Sequence, residues 1–316
     1  MTIGIVASGP RAGLAVFKAL QAVERVGAGA IGGFAAFAAV TAAEVLRGET
    51  QRGGSATLFT AGERTGGDPD LAIAMAPLAG VMSSGPDRPQ PLAQFVPALA
   101  GVGLVSGHRL PNMPGRDGVP VNLAVLDRLR AGRAPREAVE SVLAANPAAD
   151  AGIVAASLEG GIFAANSDRV AGRPDLGHAR ASAEGATVEV LHNAIYPVAP
   201  LAALAAEIAL DVMLARHAPD GEITLRAETP VTFGNQDCVI VDEELVALEV
   251  KTSDARVVAG TWNCAAVYLG ARVLCGGKLL GATMSEPNMM VIDGRLVSMS
   301  GQREIRIGFR KPVTPA

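Results

Sequence analysis

The second residue of the chain, Thr2, follows Met1 and begins a short apolar run that ends at Ala7. Removal of Met1 would place a side-chain hydroxyl and a free α-amine on Thr2. An α-amine titrates near ~8 in model peptides, so at neutral pH part of it can accept the hydroxyl proton. Thr2 is therefore a candidate nucleophile that carries its own base. The alternative is that Thr2 is only the first residue of a strand.

The cysteine and glycine patterns do not favour a metal site or a nucleotide cofactor. The three cysteines form neither a CxxC pair nor a metal-spaced cluster with the four histidines. We expect reduced, mostly buried thiols at Cys238, Cys264 and Cys275. The turn after the first run, SGPRAG, has neither GxGxxG nor the phosphate-loop spacing. The sequence therefore predicts no metal and no cofactor.

Composition limits the partners that we expect. The formal net charge is −4, without a block of five or more like charges, which argues against nucleic acid and anionic membranes. The apolar stretch at residues 27–45 is rich in Gly and Ala and contains Glu44, so it does not predict a membrane-spanning helix. The first residues lack the pattern of a secretory signal, so we expect a cytoplasmic protein. The expected partner is a small-molecule substrate.

Hydrophobic periodicity predicts the elements that must position Thr2. Residues 2–7 read as a strand, residues 14–26 as a helix, and GAGAIGGFAAFAAVT as a buried strand whose hairpin partner is GGSATLFT. Residues 66–116, rich in Pro, Gly and Ser, are predicted to be a loop-rich insertion around a short helix. VNLAVLDRLRAG and APREAVESVLAANP predict two helices, and AGIVAAS with IFAANSD predicts a β-hairpin. Residues 200–216 predict a further helix.

From residue 221 onward the pattern changes to short β-branched runs separated by turns. The clearest hairpin signal there is Asp293-Gly294, between MMVI and RLVSM. We therefore expect a core at residues 1–220 and a β-rich region at residues 221–316, which either completes the sheets of the core or forms a small domain. Exposed strand edges are usually covered or paired, so a homo-oligomer is expected.

Several segments resemble the N-terminal-nucleophile (Ntn) hydrolase superfamily. MTIGIVASGPRAG is similar to the opening of an uncharacterised family of that superfamily, as is the stretch from GVPVNLAVLDRL to GGIFAA. ALQAVERVGAGAIGGFAAF resembles gamma-glutamyltransferase and isoaspartyl-peptidase relatives, and LGHARASAEG with LHNAIYP resembles segments of class II glutamine amidotransferases. The resemblance implies an α+β fold, a four-layer αββα sandwich of two antiparallel sheets between helices.

The amidotransferase resemblance implies roles for four further residues. Arg180 would hold an anionic substrate through a bidentate contact, and Asn193 would donate to a tetrahedral oxyanion. His178 and His192 would line the same cleft. The alternatives are an ion pair for Arg180, a turn-forming amide for Asn193 and structural roles for both histidines. The chain departs from the amidotransferase pattern at Thr2, which replaces Cys, and at Ala194, which replaces Gly.

The resulting hypothesis is hydrolysis of a small, anionic amide with Thr2 as the nucleophile. One alternative is a non-catalytic binding or assembly protein with the same fold, in which Met1 is retained. Another is a ring-opening hydrolase of cyclic amides that uses a serine such as Ser182.

Overall fold

The structure is a computed structural model that describes residues 1–61, 64–65, 67–196, 200–215 and 218–312. The expected mixture of helices and several antiparallel sheets is confirmed. The chain forms two compact units, Met1–Arg216 and His217–Ala316. Each unit has a hydrophobic core of its own. None of the helices in the described ranges is long and apolar enough to cross a membrane.

Within its described residues, the first unit contains twelve strands, the 3-10 helix Leu92–Phe95 and seven α-helices, three of which are single turns of four residues. The strands are β1 (Thr2–Ser8), β2 (Ala35–Val40), β3 (Val45–Thr50), β4 (Thr60–Ala61), β5 (Arg64–Thr65), β6 (Leu78–Ser84), β7 (Ala98–Leu99), β8 (Gly103–Arg109), β9 (Ala151–Ser157), β10 (Ile162–Asn166), β11 (Leu176–Ala183) and β12 (Ala186–Asn193). The helices are α1 (Ala12–Val26), α2 (Ser55–Leu58), α3 (Leu71–Ala74), α4 (Val121–Arg130), α5 (Pro135–Ala145), α6 (Asp168–Ala171) and α7 (Leu201–Met213).

A six-stranded antiparallel sheet, ordered β11-β12-β1-β6-β2-β3, carries the candidate nucleophile on an interior strand. Side chains alternate between the faces of a strand. On β1, Ile3 and Ile5 therefore share one face and pack with residues of α1 and α7 in one buried cluster. Val6 points to the other face and packs with Leu104 of β8 and Leu191 of β12. Thr2 lies on the Val6 face.

The second sheet of this unit is four-stranded and antiparallel, ordered β10-β9-β8-β7. One of its faces meets the first sheet at Leu104 and Val154. The opposite face carries Val105 and Ile153, which pack with α4 and α5. In this unit two helices therefore cover the outer face of each sheet, and the two sheets contact each other through their inner faces.

Glycine allows the two sheets to approach closely near the start of β1. A Cβ atom on Gly4 would lie 2.5 Å from the carbonyl oxygen of Gly107 on β8. That distance is far inside van der Waals contact, so a side chain at position 4 would push the sheets apart. The close approach occurs two residues from Thr2 and two residues from Arg109.

Two local predictions for the first unit are wrong. The segment at residues 66–116 is not a loop-rich insertion, because it supplies β6, which lies between β1 and β2, and β8, an interior strand of the second sheet. GGSATLFT is not the hairpin partner of β2. That partner is β3, which follows a turn where Thr41 Oγ1 accepts hydrogen bonds from the backbone N–H groups of Ala43 and Glu44. The two helices α4 and α5, the β9–β10 hairpin and the long α7 are confirmed.

The second unit is built from strands, as its β-branched pattern predicts. Its strands are β13 (Gly221–Arg226), β14 (Val231–Phe233), β15 (Cys238–Val241), β16 (Ala247–Thr252), β17 (Thr261–Cys264), β18 (Arg272–Cys275), β19 (Lys278–Thr283), β20 (Met289–Ile292), β21 (Arg295–Met299) and β22 (Glu304–Arg310). They form a seven-stranded and a three-stranded sheet of their own. The hairpin at Asp293-Gly294 is confirmed, and both residues have positive φ, 45° and 71°.

Candidate functional site

The Thr2 hydroxyl lies between two hydrogen-bonding groups at the start of β1. Thr2 pairs with Asn193 of β12 on one side and with Ser84 of β6 on the other. Its Oγ1 donates to Oδ1 of Asn193 at 2.7 Å and accepts the backbone N–H of Arg109, the last residue of β8. Thr2 is 4% exposed and Asn193 is 2% exposed. The structure thus brings Thr2 and Asn193 together.

Backbone strain occurs at one hydrogen-bonding partner of Thr2, Arg109, and directly after the other, Asn193. Arg109 has a φ of 66°, and Ala194, which follows Asn193, has a φ of 54°. A residue with a Cβ is uncommon in this left-handed region, and such residues concentrate at functional sites. A glycine would adopt the conformation of Ala194 with less strain. These turns end β8 and β12 at the level of the Thr2 hydroxyl.

A buried imidazole adjoins the Asn193 amide. His108, the residue before Arg109, is 0% exposed, and its Nδ1 lies 3.3 Å from Oδ1 of Asn193. Its Nε2 lies 2.7 Å from Oδ1 of Asn166, the last residue of β10. Burial lowers the pKa of His108, which favours the neutral ring. A neutral imidazole has one donor and one acceptor, so one of the two amides is expected to turn its NH₂ towards the ring.

His192 is next to Asn193 but points to the other face of the sheet. It pairs with Ile3 on β1, and its ring lies over Gly177 of β11, where a Cβ atom would be 2.1 Å from Nε2. The ring is buried, and its Nδ1 has no hydrogen-bond partner in the part of the chain that the structure describes. The pKa of His192 is lowered to about 4, mainly by burial and to a lesser extent by the nearby His108. The ring is therefore neutral at physiological pH.

Arg180 and His178 form a separate cluster around the buried carboxylate of Glu189. Nη1 of Arg180 donates to Oε1 of Glu189 at 2.8 Å and to the carbonyl of Ile162 at 3.0 Å, and Nε2 of His178 lies 2.8 Å from Oε2 of Glu189. The hydrogen bond with Glu189 raises the pKa of His178. Glu189 precedes Asn193 by four residues on β12, roughly 13 Å at strand rise. Arg180 and His178 therefore both contact Glu189, whereas the Thr2 hydroxyl contacts Asn193.

Met1 has a defined position beside the candidate site. Its Sδ accepts the backbone N–H of Ala30 at 3.0 Å, and a Cβ atom on Gly29 would lie 2.5 Å from that sulfur. The pKa of the Met1 α-amine is lowered by burial and then by the positive charges of Arg88 and Arg109. The nearby Asp175 acts in the opposite direction.

Three residues of this site, His108, Arg109 and Asn166, are not predicted from the sequence. HRLPNMPG is rich in turn residues, which predicts a loop at His108 and Arg109. The preceding GLVS contains the β-branched and small residues of a buried strand, which is the signal that extends β8 to Arg109. The Asn166 amide was within the predicted hairpin, but its contact with His108 depends on the pairing of β8 with β9 and β9 with β10.

The other candidates have ordinary contacts. Ser182 Oγ donates to the carbonyl of Ala186 at 3.0 Å and lies 2.9 Å from the Thr187 hydroxyl. Its Oγ forms no hydrogen bond with a histidine or a carboxylate in the described ranges. Among the residues that the structure describes, no three His, Cys, Asp or Glu side chains cluster in a way that could hold a metal ion.

Comparison with known proteins gives two family matches. A family model described as "Domain of unknown function (DUF6963)" matches residues 2–222, and one described as "Domain of unknown function (DUF7259)" matches residues 228–304. None of the curated proteins matches the chain. Among solved structures, glutamine phosphoribosylpyrophosphate amidotransferase from B. subtilis, complexed with ADP and GMP, has a TM-score of 0.37 and 9% identity. The match covers 60% of this chain and 41% of that chain.

Proposed function

The chain belongs to the DUF6963 family, and we propose that it is an amide hydrolase of the Ntn type with Thr2 as its nucleophile. The observation that carries this proposal is the position of the Thr2 hydroxyl, between the Asn193 amide and the Arg109 N–H. The layering of the first unit supports it. Helices α1 and α7, the two facing sheets, and α4 with α5 follow one another in the order of an αββα sandwich.

The proposed reaction begins when Met1 has been removed and the Thr2 amine is free. The amine accepts the hydroxyl proton while Oγ1 bonds to the amide carbonyl carbon, and the carbonyl oxygen becomes an oxyanion. The resulting ammonium protonates the leaving nitrogen as the C–N bond breaks. An ester on Thr2 and a free amine product remain. The Thr2 α-amine then takes a proton from water while the water oxygen attacks the ester carbon. The proton returns to Oγ1 as the carboxylic acid product departs.

The neighbours of Thr2 suit these steps. The Arg109 N–H stabilises negative charge that develops on Oγ1, because it already points to that atom. Before the reaction, Oδ1 of Asn193 accepts a hydrogen bond from the Thr2 hydroxyl. The NH₂ group of the same amide can donate a hydrogen bond to the oxyanion. Burial and the two arginines lower the pKa of an amine at Met1.

The test compares chains that begin at residue 2 with chains that keep Met1. A cleavable fusion that leaves residue 2 as the first residue fixes the terminus, and intact mass verifies it. We expect the chain that begins at Thr2 to hydrolyse members of a library of small carboxylate-bearing amides. Thr2→Ala should abolish hydrolysis, Thr2→Ser should keep part of it, and Asn193→Ala should reduce kcat by about 10²- to 10³-fold.

The matched control is Thr187→Ala, which removes a hydroxyl from the far end of β12 and should leave the rate unchanged. Equal activity of the chain that retains Met1, or of Thr2→Ala, would exclude Thr2 as the nucleophile.

One observation favours a second function, that of a non-catalytic binding protein. The Met1 sulfur has a hydrogen-bond donor and fits against a glycine, as expected for a residue that remains in the mature chain. In that case the native protein would keep Met1, and Thr2→Ala would alter only stability. Intact mass of the native protein distinguishes the two functions.

A further inference from the structure

The imidazole of His108 connects the Asn193 amide of the candidate site to a second amide across the neighbouring strand. His108 on β8 and Asn166 on β10 both pair with Gly152 of the intervening strand β9. A Cβ atom on Gly152 would lie 2.1 Å from Nε2 of His108 and 2.3 Å from Oδ1 of Asn166. Glycine at this position therefore leaves the space in which the ring and the Asn166 amide meet at 2.7 Å.

The directions of the hydrogen bonds in this network follow from its one backbone donor. The Arg109 N–H can only donate, and it donates to Oγ1 of Thr2. The Thr2 hydroxyl donates its own hydrogen to Oδ1 of Asn193 at 2.7 Å and has no other acceptor among the described residues. Because Thr2 is buried, a hydroxyl hydrogen without an acceptor would be unfavourable. The Asn193 amide is therefore held with its carbonyl oxygen on Thr2.

The same oxygen decides the tautomer of His108. Nδ1 of the ring lies 3.3 Å from Oδ1 of Asn193, and this oxygen can only accept, so Nδ1 carries the hydrogen. Burial lowers the pKa of His108, and the nearby charges of Arg109 and Asp150 form an ion pair with each other. The neutral ring is therefore favoured, and its Nε2 is an acceptor. Asn166 must then turn its NH₂ group towards Nε2, which a half-turn of the amide achieves in the same space.

We propose that His108 is a positioning residue that fixes the orientation of the Asn193 amide, and that Asn166 selects the ring tautomer that does so. Oδ1 of Asn193 is held by both the Thr2 hydroxyl and the Nδ1–H of His108, so the NH₂ group of that amide points away from both. That group is then free to donate to the substrate oxyanion. This inference rests on the proposed function and extends it, because a donor that is already oriented needs no reorganisation as the oxyanion forms.

The tautomer of His108 is measured by long-range ¹H–¹⁵N NMR of the imidazole rings in the labelled full chain at neutral pH. Loss of one set of signals in His108→Leu assigns the ring among the four histidines. We expect a hydrogen on Nδ1 and none on Nε2. In Asn166→Asp the new carboxylate can only accept, so a hydrogen should appear on Nε2. The control is His178→Gln, which replaces a ring bound to Glu189 and should leave the His108 signals unchanged.

The kinetic test uses the chain that begins at Thr2 and an amide that it hydrolyses. His108→Leu should lower kcat roughly tenfold or more and change KM less than about twofold, because the oriented amide acts on the oxyanion and not on the bound substrate. His108→Asn should recover part of kcat, since its amide nitrogen lies as many bonds from Cα as Nδ1 does and can donate in its place. The control His178→Gln should leave kcat unchanged.

Three results would overturn the inference. They are a wild-type ring with its hydrogen on Nε2, an unchanged tautomer in Asn166→Asp, and equal kcat values for His108→Leu and His108→Asn. A histidine that only fills space would give the third result, because neither replacement would then differ in the group that matters. If Asn166→Asp does not fold, the wild-type tautomer and the two His108 variants decide.

Failure of this inference and failure of the proposed function are distinguishable, since the NMR measurement needs no activity. An Nδ1–H tautomer that Asn166→Asp changes, in a protein whose Thr2 form hydrolyses no amide, would retain the positioning network and remove the catalytic proposal. Hydrolysis that requires Thr2 but is unaffected by His108→Leu would remove this inference alone.

Discussion

The Thr2 hydroxyl is held by the side chain of one neighbouring strand and by the backbone of a strand in the facing sheet. A hydroxyl that is fixed in one orientation loses less entropy when it reaches a reactive geometry. The nearby histidines do not have to act as the base in the proposed reaction. Burial lowers the pKa of both His108 and His192, which makes each ring a weaker base than an ordinary imidazole.

The buried His192 makes the fold sensitive to acid. Its pKa is lowered from an ordinary value of 6.5 to about 4, so the unfolded chain binds more protons than the folded chain between these pH values. Its contribution to stability is complete above pH 6.5 and is lost as the pH falls towards 4. Over that interval we expect wild-type stability to fall by about 3 kcal/mol more than that of His192→Gln.

Urea unfolding at a series of pH values measures this difference. His178→Gln is the control, because the pKa of His178 is raised rather than lowered. Replacement of His178 should instead remove a contribution to the free energy of unfolding that is present at low pH. That contribution is lost as the pH rises through the raised pKa of His178. Parallel pH profiles for wild type and His192→Gln would contradict the assigned burial of His192.

At the scale of elements, the site depends on how closely β1 and β8 approach. The Arg109 N–H belongs to the second sheet, and near it Gly4 leaves no side chain between the β1 backbone and the Gly107 carbonyl of β8. The strand pairing of β1 with β12 and β6 is local to the first sheet, whereas the contact with β8 is a packing contact between sheets. The nucleophile and the N–H that contacts it are therefore positioned by different forces.

Gly4→Ala should consequently separate the two sheets at the site. The added methyl group would meet the Gly107 carbonyl, and overpacking of this kind costs about 1–3 kcal/mol. We expect that loss in the free energy of unfolding, measured in urea. In the proposed enzyme, the rate should fall more than substrate binding.

The control for this prediction is Gly172→Ala, since Gly172 has a φ of −79° and open space around its Cα. Its stability should change by less than about 0.5 kcal/mol. A stable and fully active Gly4→Ala protein would show that the sheets do not rely on this close approach.

At the scale of the whole molecule, the two units have separate sheets and separate cores. The family models also match separate stretches of the chain, residues 2–222 and 228–304. Each unit thus meets the main requirement for folding alone, a buried core made from its own residues. The expectation of a homo-oligomer stays a prediction.

Two fragments, residues 1–216 and 217–316, test this independence. We expect each to unfold cooperatively in urea, the second with a far-ultraviolet circular dichroism spectrum dominated by strand. The first fragment should retain any amide hydrolysis of the full chain, because Thr2, Asn193 and Arg109 all lie in the first unit. A first fragment without cooperative unfolding would show that its fold depends on the second unit.

Much of the secondary structure follows from local pattern. The helices at residues 121–130 and 135–145 and the hairpin at Asp293-Gly294 depend on neighbours a few positions away, and sequence reasoning predicts them. The segment at residues 66–116 shows the limit of such reasoning. Its proline and glycine content masks β6 and β8, whose strand conformation is stabilised by pairing with β1, β2 and β9.

The sequence by itself determined the chemistry that is available at Thr2, the small-residue composition that allows close sheet packing, and the strand-rich character of residues 221–316. Only the tertiary structure decided which groups share a site. In that structure Arg109 and His108 lie near Thr2, and Arg180 forms an ion pair with Glu189. Arg88 has no ion pair within the described residues. The physical reason is that local patterns report which face of an element is buried, whereas register and sheet-to-sheet distance determine which side chains meet.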